Sequence, residues 1–372
     1  MAGDANLYEE VGGKQACRKL AVAFYARVER DPLLRPLFPG TTFTCAIEEF
    51  AAFLAQFLGG PGEDMQRRWW LSLRESHLRF RIGPKEREAW IANMTAALDD
   101  VPIEEPWHSR LLGFFERSSA YVVNHGEVVA PREGRTHEGI SRRWDAQLRL
   151  DEAVAAIRKG DANTAIALSE SPELRGYSPS VTSGLLALMV RSGRREMVDY
   201  VGARLVSDRT LADERHAGRT LLHEAAAAGS LRIVELLLSL GADANVADTG
   251  GHTPLYCLAN ECAVEGAGSV VRALVERGAD VNASDGVKRC SALHMAARRG
   301  NVEVAGALLD CGANLEARDK LGDTPLRRSV NCDKVGVARL LVARGADILS
   351  VGSKGITPLQ AARSAAMKGL LL

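Results

Sequence analysis

The chain has 372 residues, of which 46% are hydrophobic and 25% charged, and its 47 Lys+Arg balance 47 Asp+Glu. That length exceeds what one core supports and implies two or three domains. Charge is near balance on both sides of residue 126, with 15 basic and 17 acidic side chains before it and 32 and 30 after it, which excludes a general nucleic-acid or membrane-surface role.

The chain opens Met1-Ala-Gly-Asp-Ala-Asn6, without a basic n-region, and no apolar run approaches membrane length; seven cysteines without regular spacing lead to the expectation of a cytoplasmic protein. Leu7-Tyr-Glu-Glu-Val-Gly-Gly13 reads as a helical turn closed by two glycines. Apolar spacing through Leu20, Val22, Phe24 and Val28 predicts a helix over 16–29, stopped by Asp31-Pro32. Leu33 to Phe38 is a compact apolar turn ended by Pro39-Gly40. Thr44 suits the cap of a helix over 45–57, with a stripe at Ile47, Phe50, Phe53, Leu54 and Phe57, and Gly59-Gly60-Pro61-Gly62 ends it. An Arg-rich helical segment ends near His77 and is broken by Phe80, Ile82 and Gly83-Pro84. Pro84 then starts a helix, with Glu86 in its first turn, that runs past Trp90 and Met94 to Leu98. Pro106-Trp107-His108 opens a last helix over 110–123. Nothing in residues 1–126 reads as strand.

A histidine at the corner His77 occupies can ligate a metal through one ring nitrogen while the other bonds an oxygen. Arginines 67, 68, 74, 79 and 81 surround it in sequence, with only Glu75 of opposite sign. Phe24, Tyr25, Phe38, Phe50, Phe53 and Phe57 would wall an apolar pocket for a flat ligand with anionic edges.

These residues also carry a family resemblance. Leu7-Tyr-Glu-x-Val-Gly-Gly13, Phe24-Tyr-Ala-Arg-Val28, Leu37-Phe-Pro39, Phe53-Leu-Ala-Gln-Phe-Leu-Gly-Gly-Pro61, His77-x-x-Phe80 and Glu86-Arg-x-Ala-Trp90 follow one another as in a group II truncated haemoglobin. That is the small globin with a two-over-two helical sandwich round haem. The resemblance implies haem b as cofactor, His77 as proximal iron ligand, and Tyr25 and Trp90 as distal hydrogen-bond donors to a bound ligand. It places Phe38 on the haem face and Ala46 and Phe50 at the two distal positions of the next helix. Phe53, Leu54, Leu73, Arg74, Phe80, Ile82 and Met94 complete the haem surroundings it implies. Neutral imidazole suits haem iron and leaves a sixth position open. The chain departs from the family at Ser76, where Arg is common, and at Arg67-Arg-Trp-Trp70. The propionate partners therefore stay open among Arg74, Arg79, Arg81 and a solvated basic face.

Residues 127–147 are polar and read as a linker, within which Arg142-Arg-Trp144 either begins a packed helix or belongs to a tether. From 148 to 372 a period appears. Thr220-Leu-Leu-His223, Thr253-Pro-Leu-Tyr256, Ser291-Ala-Leu-His294, Thr324-Pro-Leu-Arg327 and Thr357-Pro-Leu-Gln360 stand 33, 38, 33 and 33 residues apart. Gly241-Ala-Asp, Gly278-Ala-Asp, Gly312-Ala-Asn and Gly345-Ala-Asp keep step. This segment resembles the ankyrin repeat. Thr or Ser caps each first helix, Pro suits its first turn, and glycines such as Gly229, Gly300 and Gly241 end helices in left-handed conformation. Leu150–Gly160 and Thr182–Gly193 read as two degenerate units. The five extra residues of the long unit are expected in Asn260–Gly268, and the last unit is expected to stop after its first helix, at Met367–Leu372. About seven units result. His252, Cys257 and Cys262 have no zinc spacing, and the seven cysteines read as reduced core thiols.

The expected fold is all-α: a truncated globin over 1–126, a linker over 127–147, and an ankyrin-repeat solenoid over 148–372. The expected function is binding of a diatomic gas, most simply dioxygen, with the repeats holding an unknown protein partner, either as a tether or as part of a haem-based sensor. A haem peroxidase or nitric-oxide-oxidising globin targeted by its repeats, and a scaffold whose globin has lost haem, are the alternatives. No nucleophile–base pair, phosphate loop or carboxylate dyad stands out in the repeats, and no nucleic-acid partner or membrane span is expected.

Overall fold

The computed structural model describes residues 7–38, 40–61, 72–126, 138–175, 178–352 and 355–372. Pro39, Gly62, Arg67, Arg68, Trp69, Trp70 and residues 127–137 of the expected linker lie outside the described residues. Two compact units make up the chain, Met1–Leu185 and Leu186–Leu372.

In the first unit, α1 (Leu7–Glu10), α2 (Gly13–Val28), a 3-10 turn (Arg35–Leu37), α3 (Thr44–Leu58), α4 (Leu73–His77), α5 (Pro84–Asp99) and α6 (Trp107–Tyr121) follow in order. Helix α2 packs on α3 and α5, and α5 packs on α6. The reason is the spacing of Cys17, Leu20, Phe24 and Val28 on α2, which buries one stripe. Phe24, Phe57, Leu98, Phe114 and Phe115 are almost wholly inaccessible at the centre. Thr44 is the first residue inside α3 and makes no side-chain cap, which differs from expectation; the cap position falls to Phe43. At α5 the sequence signal holds: Pro84 leads, and the Gly83 N–H donates to Glu86 Oε2 at 2.8 Å. Helix α6 begins at Trp107, earlier than predicted, because the Glu104 carbonyl accepts from the Trp107 and His108 amides.

A helix of 22 residues, α7 (Glu138–Lys159), follows and belongs to the same unit. Residue 147, where the linker is expected to end, lies inside it. Ile140, Trp144, Gln147 and Asp151 recur at helical spacing and are all buried. Trp144 packs on Phe57, Phe114 and Tyr121, with ring centroids 6.1, 5.9 and 5.4 Å away. The Arg143 guanidinium reaches the Phe57 carbonyl at 3.2 Å. Gly59, at φ 81°, leaves room for that arginine, and a Cβ there would collide with it. Gly160, also left-handed, turns α7 into α8 (Ala162–Ser169), which packs against it.

The second unit is a stack of helix pairs. The pairs are Leu221–Ala227 with Leu231–Ser239, Pro254–Glu261 with Ala267–Glu276, Ala292–Arg299 with Val302–Asp310, and Pro325–Asn331 with Val335–Ala343. The Thr253, Ser291, Thr324 and Thr357 side chains accept from the amide three residues on, as the sequence predicts. A two-stranded antiparallel hairpin, β1 (Arg215–His216) and β2 (Arg219–Thr220), pairs Arg215 with Thr220 and His216 with Arg219. It is the one departure from all-α structure among the named elements.

Two expectations are corrected. The last unit continues past Pro358–Ala361 into a second helix, Ala365–Leu370, capped by Ser364 and anchored by the inaccessible Met367. The five extra residues of the long unit are divided. Four lengthen the segment between Thr253 and Gly278, and one lies in the turn between Asp285 and Ser291, where Arg289 takes φ 55°.

One ladder ties successive pairs together. The residue three past each cap reaches forward 29 positions: His223 Nε2 to the His252 carbonyl (3.0 Å), Tyr256 Oη to Asp285 Oδ2 (3.2 Å), His294 Nε2 to the Asp323 carbonyl (3.1 Å), and Arg327 to the Ile356 carbonyl (2.9 Å). Cys257 is buried in the same stack, its thiol pushed up to about 12 by desolvation. His252 stacks on the Tyr256 ring at 4.4 Å and leans on Asp248 at 3.2 Å.

Candidate functional site

His77 ends the one-turn helix α4. Its Nδ1 donates to the Leu73 carbonyl at 2.7 Å, and the Ser76 hydroxyl sits 2.9 Å from the same nitrogen while donating to that carbonyl at 2.7 Å. A proton held at Nδ1 puts the lone pair of a neutral imidazole on Nε2, the arrangement a metal-ligating histidine requires.

From His77 a run of rings crosses the unit. Phe80 lies 6.2 Å from the imidazole, Phe38 lies 5.5 Å from Phe80, and Tyr25 lies 5.6 Å from Phe38. Phe50 is 6.4 Å from both Tyr25 and Trp90, and Phe24 bridges Tyr25 at 5.1 Å to Trp90 at 5.2 Å. Tyr25 comes from α2, Phe50 from α3, His77 from α4 and Trp90 from α5, so four elements converge. Ala46 and Phe50 lie on the half-buried start of α3, while Phe53 and Leu54 are buried further along it. Leu73, Ile82 and Met94 are buried as well. Arg74 is turned onto the Tyr121 ring, its guanidinium 5.9 Å from the centroid, and Arg79 lies 4.6 Å over Phe80. Arg81 points to His125 at 2.5 Å.

Two polar atoms in this aromatic wall stand out. Among the described residues no hydrogen bond reaches the Tyr25 hydroxyl or the Trp90 indole N–H. Burial holds the Tyr25 phenol well above its ordinary range, with Glu49 adding to the shift and Arg79 opposing it. The phenol therefore keeps its proton and is a donor, as is the indole. Tyr25 is buried and Trp90 half-buried, and each keeps a donor that a ligand in this wall could accept from. The wall thus holds one imidazole from α4 and, from α2 and α5, two donors without a partner among the described residues, set among apolar rings.

A family profile described as bacterial-like globin matches residues 6–124. The group 2 truncated hemoglobin YjbI of Bacillus subtilis (strain 168) is 34% identical over 121 residues, which is 32% of this chain and 90% of that protein. The chain belongs to the truncated-haemoglobin family. The two-on-two hemoglobin-3 of Arabidopsis thaliana is 27% identical over 138 residues, 36% of this chain and 78% of that protein. The rest of the chain carries the second match, ankyrin repeats over 186–285 and 260–352. There the ankyrin repeat and SOCS box protein 16 of Mus musculus is 40% identical over 166 residues, 42% of this chain. The chain spans only 36% of that protein's length.

Sequence reasoning missed two residues that the truncated globin uses here. Phe43 stacks on Tyr25 at 5.2 Å and meets Phe38 at 5.4 Å, yet it sits in a loop where helical periodicity carries no signal. Asp151 is the other; it stands 27 residues beyond the globin match. Among the described residues no cluster of three or more His, Cys, Asp or Glu groups forms a metal site, and no helix is long and apolar enough to cross a membrane.

Proposed function

We propose that the globin unit binds haem b through His77 Nε2 and takes up a diatomic gas, dioxygen foremost. The observation that supports the reading is a proton-anchored imidazole in the same aromatic wall as two donors that meet no partner among the described residues. Haem would supply the iron that takes the gas; the chain supplies the rest. Tyr25 and Trp90 would donate to the gas, each bond contributing about 1–3 kcal/mol. Phe38, Phe50 and Phe80 cover the flat faces and exclude water. Arg79, exposed and beside His77, suits a propionate. Arg74, which lies against Tyr121, suits it less well.

The ankyrin unit we assign to holding a protein partner. Its helix pairs form a rigid repeat surface, tied by the forward ladder described above.

Absorption spectra of the purified full-length protein test the reading in oxidised, reduced and carbon-monoxide-treated states. A Soret band that shifts on reduction and again with carbon monoxide is expected. A protein that takes up no haem from an equimolar haem solution would contradict it.

A further inference from the structure

Asp151 lies on α7, outside the globin match at 6–124, and is only 6% exposed. Four donors surround its carboxylate. The Leu73 N–H donates to Oδ1 at 3.0 Å and the Arg74 N–H to Oδ2 at 3.1 Å. The Tyr121 hydroxyl donates to Oδ2 at 2.9 Å and the Gln147 amide to Oδ1 at 2.6 Å. A buried carboxylate is tolerated when its lone pairs are filled in this way, and such charge-assisted bonds are the strong ones.

Two of those four bonds fix the first turn of α4. That helix has five residues and cannot hold itself, since so short a segment has one turn of its own bonds. Leu73 joins two sets of contacts. Its N–H is held by Asp151, and its carbonyl receives His77 Nδ1. A second, exposed link runs the same way, with Arg158 of α7 lying 3.5 Å from Glu75.

We propose that Asp151 is a positioning residue. It locks the turn that carries His77, so that α7, a helix appended to the globin fold, sets the orientation of the proximal imidazole. The consequence at the iron rests on the haem reading above, whereas the clamp itself rests on the contacts alone.

The test uses the full-length protein with Asp151→Ala, Asp151→Asn and Tyr121→Phe. Amide hydrogen exchange at Leu73 and Arg74 in the haem-free protein reads the clamp. The iron–histidine stretching band of the reduced, haem-loaded protein reads the orientation. Asp151→Ala is expected to speed exchange at both amides about tenfold or more, the worth of one charge-assisted bond, beyond any change at the buried Leu98 and Phe114. It is also expected to shift the iron–histidine band. Asp151→Asn keeps the size and one acceptor and is expected to give a smaller shift in the same direction. Tyr121→Phe, which removes a donor without touching Leu73, is expected to leave the band in place.

Unchanged exchange at Leu73 and Arg74 would overturn the clamp. Faster exchange with an unmoved band would overturn the positioning role. Should Asp151→Ala unfold the unit, Asp151→Asn decides by the same two readouts. A wild-type protein that takes up no haem would overturn the functional reading, while exchange at the two amides would still decide the clamp.

Discussion

His77 Nδ1 lies 2.7 Å from the carbonyl oxygen of Leu73, one turn back on the same short helix. The bond settles which ring nitrogen holds the proton and which way the ring faces. Ser76 donates to the same carbonyl at 2.7 Å. Its hydroxyl therefore shares the Leu73 carbonyl with the His77 ring.

In the proposed reading, Tyr25 and Trp90 are the two donors to the bound gas. Each single change, Tyr25→Phe or Trp90→Phe, removes one hydrogen bond. A loss of about 1.4 kcal/mol corresponds to about tenfold in dissociation rate. Stopped-flow measurement of dioxygen release is expected to show that acceleration in at least one single variant and more in the double. Wild-type rates in all three would mean that these side chains face something else.

Trp144 fills the space between Phe57, Phe114 and Tyr121 and is 8% exposed. Trp144→Ala is expected to destabilise the globin unit by about 3–5 kcal/mol, the usual cost of emptying a buried aromatic site. All five tryptophans precede residue 145, so urea unfolding followed by tryptophan fluorescence reads this unit alone. A variant with an unmoved urea midpoint would show that α7 contributes nothing to the globin core.

Tyr256 donates to the buried Asp285 across the repeat seam at 3.2 Å. Tyr256→Phe leaves that carboxylate short of a donor, at a cost of about 1–3 kcal/mol. Faster amide exchange in Pro254–Glu261 and Ala292–Arg299 is the expected readout. Identical exchange in both helices would remove Tyr256 from the ladder.

His223 and His294 are both held below the ordinary histidine pKa, by burial first, with the forward carbonyl bonds partly opposing. Each is neutral in the native stack, while the unfolded chain takes up a proton near pH 6.5. Their contribution is therefore fully present above about pH 6.5 and is lost as pH falls through that value toward the lower native pKa. Gln serves the same capping position at Gln360. The double change His223→Gln, His294→Gln is expected to flatten the pH dependence of exchange in Leu221–Ala227 and Ala292–Arg299 between pH 7.5 and 5. An equally steep loss in the double variant would place the acid sensitivity elsewhere.

Much of this architecture is legible in the residues because periodic burial leaves a trace. Leu20, Phe24 and Val28 on α2, and Phe53 and Phe57 on α3, repeat at helical spacing, and Thr253, Ser291, Thr324 and Thr357 announce each repeat. Gly83-Pro84 with Glu86 marks the start of α5 to the residue. The candidate site was marked in the residues by a histidine at a helix end and by a tyrosine and a tryptophan in apolar stripes. What did not show was partnership at long range. Asp151 sits 78 residues from Leu73, and nothing local distinguishes it from a solvated aspartate. Phe43 was hidden for the opposite reason, since a loop has no period. The helix Ala365–Leu370 was obscured by its brevity, with only Ser364 and Met367 to signal it.

The most direct test of the central assignment is haem titration of the wild-type chain against His77→Ala, followed at the Soret band. His77 is the only histidine in the first 107 residues, so no near neighbour replaces it. The wild-type protein is expected to saturate at one haem per chain, and His77→Ala is expected to lose stoichiometric uptake and recover it with added imidazole. An unchanged Soret spectrum and stoichiometry in His77→Ala would contradict the assignment.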